Sequence, residues 1–239
     1  MTGMASDART PARRATTVLW DIDGTLVRSG GVAARAFLDA VAEVTGVRPT
    51  AERRDYGGRL DPEIADMLLA AVGSKTARVG DVLEVLQRLV AERLDELRAQ
   101  TSTYPGVDAL LARLAEAGVR QTVVTGNIAA IARHKLEAGS LIPPIAPDFG
   151  GYGDSALDRA AVARVAIDRL AAAGWHPGLD EVWIVGDTPR DLACARAVGV
   201  HCALVATGRS TFEELSSLGA DIVLPDLSDP RPLLDLWRL

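Results

Sequence analysis

The sequence predicts an α/β fold: a parallel sheet flanked by helices, with a helical segment inserted after the first strand. Five short apolar runs, at residues 18–20, 123–124, 182–185, 202–205 and 221–224, read as buried strands. Amphipathic helical patterns lie between them, and strand–helix alternation favours parallel pairing through right-handed crossovers. The third observation is a change of character between residues 27 and about 103, where the pattern is almost wholly helical.

Taken in order, residues 1–16 are small, polar and basic, with Arg9, Arg13 and Arg14 around Pro11. No apolar stretch of the secretory kind follows, so a mobile tail is expected, with Met4 as an alternative start. The run 18–20 leads into Asp21-Ile22-Asp23-Gly24-Thr25. The inserted segment then carries three apolar stripes. Val32, Ala36, Phe37, Ala40, Val41 and Val44 form the first, ended by Gly46. Asp61-Pro62 opens the second, which carries Ile64, Leu68, Leu69 and Val72, and Asp61 is expected to cap it. Val82, Val85, Leu86, Leu89, Val90, Leu94 and Leu97 read as one longer third helix. The segment leaves and returns through residues 28–31 and 103–106. The expected organisation is therefore a tail of 1–16, a core of 17–28 and 103–239, and a helical cap of 29–102, a lid above the acidic turn. Beyond it, Val107, Leu110, Leu111 and Leu114 mark a helix over 107–117 closed by Gly118, and another is expected over 160–173, stopped near Gly174. Thr188-Pro189 opens a helix that Gly199 ends, and Ser210-Thr211-Phe212-Glu213 fits a capping box.

Composition narrows the class. The chain has 239 residues, 48% of them hydrophobic, enough for a substantial core without disulfides or a structural metal. A net charge of −6 argues against general affinity for nucleic acid or anionic membranes. Cys194 and Cys202 make neither a disulfide framework nor a repeated metal-ligand spacing, and suit a reducing cytoplasm. No uninterrupted apolar stretch is long enough to span a bilayer, so a cytoplasmic protein is expected.

The chemistry concentrates where strands end. Residues i and i+2 of a strand point the same way, which brings Asp21 and Asp23 toward one site. Gly24 lets the backbone turn and approach a ligand closely. Two acids held together are costly unless a cation sits between them or one keeps a proton, which points to metal-assisted chemistry. An Asp- and Gly-rich turn is the plainer alternative. Thr125-Gly126-Asn127 follows the second run, and Gly186-Asp187 the third, with Asp191 four residues on. Ligands of open α/β sheets lie beyond these carboxyl ends. Taken singly, Thr125 reads equally as a helix cap, Asn127 as a turn residue and Asp191 as a first-turn acid.

These motifs, with a basic residue near Arg159, resemble in kind and order the haloacid dehalogenase (HAD) superfamily. The resemblance runs over nearly the whole chain from Thr17 onward, and within the superfamily the pattern is similar to phosphoglycolate-phosphatase-like hydrolases. It implies a HAD-like, Rossmann-like core with a small α-helical (C1-type) cap. It further implies a phosphatase that uses Mg2+ and an aspartyl-phosphate intermediate to hydrolyse a small phosphomonoester. In that pattern Asp21 is the nucleophile. Asp23 is the general acid and then base, with its backbone carbonyl on the metal. Asp187 is the second metal carboxylate, and Asp191 reaches the metal through a water. Thr125 and the Gly126 N–H meet the phosphoryl group, with Asn127, Gly24 and Thr25 on the substrate side. The family commonly has a lysine, often followed by proline, before the helix leading to the last acidic motif. Neither is present at 154–164, and Arg159 at the helix start takes that place, with Arg164 the other basic residue of the segment. Arginine brings a permanent charge and bidentate geometry to phosphate. Tyr56-Gly57-Gly58-Arg59-Leu60-Asp61 resembles the cap segment that faces the site, with Arg59 set to bind a substrate carboxylate or second phosphate.

Rival readings stay in view. A dehalogenase of the superfamily needs neither Asp23 nor Asp187. A phosphonate hydrolase wants a Schiff-base lysine in the cap, where Lys75 is the only one, and Asp23 departs from its pattern. A phosphomutase or phosphotransferase on sugar phosphates would use the same aspartate pair, and a non-catalytic regulator could keep the fold. His134, His176 and His201 show no ligand spacing. The expected partner is a small phosphorylated metabolite, not nucleic acid or a membrane, and the protein is expected to be a monomer or homodimer.

Overall fold

Residues 14–50 and 56–239 are described by the structure, a computed structural model. The expected tail lies outside them as far as residue 13. Strands β1 (Thr17–Trp20), β4 (Arg120–Val123), β5 (Val182–Gly186), β6 (His201–Val205) and β7 (Ile222–Leu224) form one sheet in the order β4-β1-β5-β6-β7. Every pairing in it is parallel. Two-residue strands β2 (Val27–Arg28) and β3 (Ser102–Thr103) pair antiparallel outside it. The chain runs from β1 to β4 on one side and then to β5 on the other. This reversal opens a crevice beyond the carboxyl end of β1, where ligands of such sheets sit.

The five-strand pattern of the sequence is thus present, and the period of two assigns each side chain a face. Val18 and Trp20 of β1, Trp183 and Val185 of β5, and Ala203 and Val205 of β6 share one apolar cluster. It is completed by α5 (Val107–Glu116), α10 (Arg231–Trp237) and part of α6 (Ala129–Ala138). Leu19, Ile184, Cys202 and Leu204 point the other way, against α7 (Arg159–Ala172), α8 (Pro189–Val198) and α9 (Phe212–Ser216). Two cores on opposite faces hold the sheet rigid, so the strand ends can carry a precise site.

A third apolar cluster joins α1 (Val32–Thr45), α2 (Asp61–Ala71), α3 (Val79–Glu92) and α4 (Leu94–Gln100) with Ile128 and Ile131 at the start of α6. The helical segment leaves through β2 and returns through β3, so their pairing ties its two ends together. The single long third helix expected from the stripe is instead two helices. Arg93 breaks it at φ −111°, ψ 23°, with its guanidinium 2.6 Å from Asp39 of α1. The capping box near residue 211 is displaced by one position. Thr211 accepts from the Glu214 N–H (3.2 Å), and its own N–H donates to Glu214 (2.8 Å), because α9 starts at Phe212. Among the described residues, no helix is long and apolar enough to cross a membrane.

Candidate active site

Asp21 follows β1, its N–H still donating to the Val185 carbonyl (2.9 Å), which fixes the carboxylate at the mouth of the crevice. Gly24 turns the chain at φ +89°, a conformation that disfavours other residues. A Cβ there would also lie 2.4 Å from Asp187 Oδ2, so the turn and the acid at the end of β5 pack against each other. Asp21, Asp187 and Asp191 are all buried, and oxygens of the three lie within 4.8 Å of one another. Burial pushes the Asp187 carboxyl above its ordinary range, and the charges of Asp21 and Asp191 push it further. Burial likewise raises Asp21, against the pull of Arg159. Three acids in so little space match the donor set of a hard divalent cation, which would relieve the repulsion they exert on one another.

Arg159, the first residue of α7, is the cation of this cluster. It lies 2.9 Å from Asp21, also pairs with Asp191, and donates to the Gly58 carbonyl (3.2 Å). Burial works against its charge, and Asp191 and Asp21 override that, leaving its pKa raised. Arg164 points elsewhere, to the Ala197 carbonyl (3.2 Å) at the surface. Asp191 also accepts the Thr188 N–H (3.0 Å) and hydroxyl (2.8 Å), so one carboxylate closes the start of α8 and orients Arg159. Thr25 corrects the sequence expectation. It is fully buried, and its hydroxyl donates to Asp187 (3.2 Å) rather than facing the cavity.

Asp23 stands apart from the acid cluster. Its carboxylate takes Asn127 Nδ2 (3.0 Å) and Lys135 Nζ (2.5 Å) on Oδ2, and Ser29 Oγ (3.5 Å) on Oδ1. Lys135 had no place in the sequence-based set. The signal for it is local: on α6 it shares the buried stripe of Ile131, Ala132 and Leu136, where a lysine is out of place unless paired. Thr125 is buried at the cavity wall, and its hydroxyl accepts the Asn127 N–H (3.3 Å), so it closes the turn rather than capping α6. At Gly126 a Cβ would sit 1.8 Å from the Arg59 carbonyl oxygen, so glycine lets the loop at 57–60 lie directly on this turn.

Asp61 is the second correction. It is the first residue of α2, not its cap, and its carboxylate crosses to accept the Ile128 N–H (2.8 Å) ahead of α6. Its own N–H donates to the Gly126 carbonyl (2.7 Å). Burial pushes the carboxyl from 3.8 up to about 7, against Lys135 and the Ile128 N–H. The native state therefore binds this proton more tightly than the unfolded chain, and stability is lost as pH rises from about 4 to about 7, by at most about 4 kcal/mol. Asp61→Asn keeps the acceptor and removes the titration. Its melting temperature, compared with wild type, is expected to gain several degrees between pH 5 and pH 8. A gap that does not change with pH would refute this account.

Above these groups lies a cavity of about 1220 Å3, walled by the strand ends, the loop at 57–60 and the first turns of α1 and α2. Arg59 and Arg190 line it, and Arg190 donates to the Gly57 carbonyl (2.6 Å). Arg28 covers the Tyr104 ring at 5.3 Å beside β2.

Fold and site together set three buried acids, a group that could hold a metal ion, at the carboxyl edge of a parallel sheet. The model of the haloacid dehalogenase-like hydrolase family matches residues 18–196. A phosphoglycolate phosphatase of Rhodospirillum rubrum is 33% identical over 219 residues, covering 88% of this chain and 87% of that protein. One from Caulobacter vibrioides is 28% identical, covering 89% and 88%. Among solved structures, CbbY from Rhodobacter sphaeroides in complex with phosphate superposes with a TM-score of 0.71 at 20% identity, covering 90% of this chain and 96% of that one. The chain belongs to the haloacid dehalogenase-like hydrolase family, and within it is an enzyme of the phosphatase type.

Proposed function

We propose that the protein hydrolyses a small phosphomonoester through an aspartyl-phosphate on Asp21, with Mg2+ as its metal. The observation that carries this reading is the division of the two acids of the first motif: Asp21 is paired with Arg159 beside Asp187, and Asp23 with Lys135. Asp21 attacks phosphorus as the ester P–O bond breaks, and Asp23 gives its proton to the departing alkoxide. Water then attacks the same phosphorus, its proton passes to Asp23, and the Asp21–phosphorus link breaks to release inorganic phosphate. Arg159 holds the nucleophile and offers charge to the phosphoryl oxygens, which Thr125 and the Gly126 N–H also meet. Asn127 steadies Asp23, and Gly24 keeps the turn open.

Asp21, Asp187 and the main-chain carbonyl of Asp23 would hold the ion, with Asp191 acting through Arg159 or a water. When bound, Mg2+ supplies positive charge between the nucleophile and an anionic substrate. Residues 29–102 serve as a cap, and Arg59 on the 57–60 loop contacts a carboxylate or second phosphate of the substrate. The relatives named phosphoglycolate phosphatase make phosphoglycolate the first compound to assay. Two buried free cysteines suit the reducing cytoplasm, and the enzyme acts as a monomer or homodimer.

A phosphate-release screen over phosphorylated metabolites tests the reading. Chelation with EDTA is expected to lower the rate by at least about 10²-fold and added Mg2+ to restore it. Full activity in EDTA would remove the metal from the mechanism, and silence across the screen would remove the hydrolase reading.

A further inference from the structure

Lys135 belongs to no motif of the sequence, yet its side chain is 5% exposed at the edge of the candidate site. Ordering and burying a lysine is costly, and an ammonium is retained in such a place only when paired. The acids that surround it are Asp23, which it contacts, and Asp61, which its charge also stabilises. Arg159 already serves Asp21. Each aspartate of the first motif therefore has its own cation, one from the start of α7 and one from the second turn of α6.

The contacts at Asp23 are uneven. Oδ2 takes both Lys135 Nζ (2.5 Å) and Asn127 Nδ2 (3.0 Å), whereas among the described residues Oδ1 has the 3.5 Å approach of Ser29 alone. The carboxyl is still 43% exposed and lines the cavity. Two donors on one oxygen fix the carboxyl plane and leave the other oxygen open to the cavity. We propose that Lys135 is a positioning residue for Asp23, clamping Oδ2 so that Oδ1 is presented to the leaving-group oxygen of the substrate. The assignment rests on the reading of Asp23 as the group that hands its proton to the departing alkoxide while the P–O bond breaks and the Asp21–phosphorus bond forms.

A general acid matters more when the leaving group is a poor one. Phenyl phosphate and p-nitrophenyl phosphate are close in shape and differ in how readily the oxygen leaves. With Mg2+ present and the full chain used, Lys135→Met is expected to lose about tenfold more kcat on phenyl phosphate than on p-nitrophenyl phosphate, both relative to wild type. KM should change less than threefold on either. Lys135→Gln, whose amide still offers an N–H to Oδ2, should fall between wild type and the Met variant, and it serves as the test if the Met variant does not fold. Equal losses on the two esters would make Lys135 a structural ion-pair residue and overturn the assignment alone, as would failure of both variants to fold. Wild type releasing no phosphate from either ester would overturn the hydrolase reading and the assignment with it.

Discussion

Asp21→Asn is expected to abolish phosphate release, lowering kcat by about 10⁴-fold or more, because a neutral amide is a far weaker nucleophile toward phosphorus than a carboxylate. The same change is expected to stabilise the metal-free protein. Burial raises the Asp21 carboxyl, and Asp191 and Asp23 raise it further against Arg159. A raised carboxyl contributes stability when protonated and loses it as pH climbs through the folded-state value, so the penalty is greatest in alkaline solution. An amide at position 21 removes that titration. In EDTA at pH 8 the Asn variant should melt several degrees above wild type, with the gap narrowing toward pH 5. Added Mg2+ should raise the wild-type melting temperature more than that of the variant, since ligand stabilisation scales with affinity for the native state. A variant that hydrolyses phosphate at a rate near wild type would eliminate Asp21 as nucleophile. A melting difference with no pH dependence would show that the cluster is not under electrostatic strain.

That trade follows from features of unequal visibility in the sequence. The strand runs and the polar residues that close them are written in local order, which is why Asp21, Asp23, Thr125 and Asp187 fall at one edge of the sheet as expected. Arg159 was also reachable, since a helix start after a loop is a position rather than a pattern. Its pairing with Asp191 was not, because that acid reaches it from a different helix. Lys135 escaped for the opposite reason. Its stripe was readable on α6, but only the packed structure brings that face to the turn after β1. Asp61 shows the same limit from the other side: a capping residue judged by its neighbours turned out to serve a helix 67 positions away in sequence. The family resemblance put Thr25 on the substrate side, and the packing of Asp187 against Gly24 directs its hydroxyl to that acid instead. Local order names the chemistry, and long-range packing decides which group serves which.

The largest combined effect on stability and rate is expected at Arg159. Its side chain is 9% exposed and holds Asp21 and Asp191 together while bonding the Gly58 carbonyl of the overlying loop. Arg159→Met leaves buried carboxylates without their cation, a loss of about 3–5 kcal/mol when one partner of a buried pair is removed. Asp21 would rise further, since the group that holds it down is gone, so the acid limb of the pH–rate profile should move to higher pH. Arg159→Lys restores charge without the planar fork. A single ammonium does not reproduce bonds to two carboxylates and a carbonyl, so the folded Lys variant should keep its melting temperature within a few degrees and lose roughly 10- to 100-fold in kcat. Arg164→Ala supplies the control. That residue lies five positions along the same helix and, among the described residues, bonds the Ala197 carbonyl at the surface, so kcat of the variant should stay within about twofold of wild type. If Arg164→Ala matched the loss at Arg159, the basic role would belong to helix α7 as a whole and not to the residue that touches Asp21.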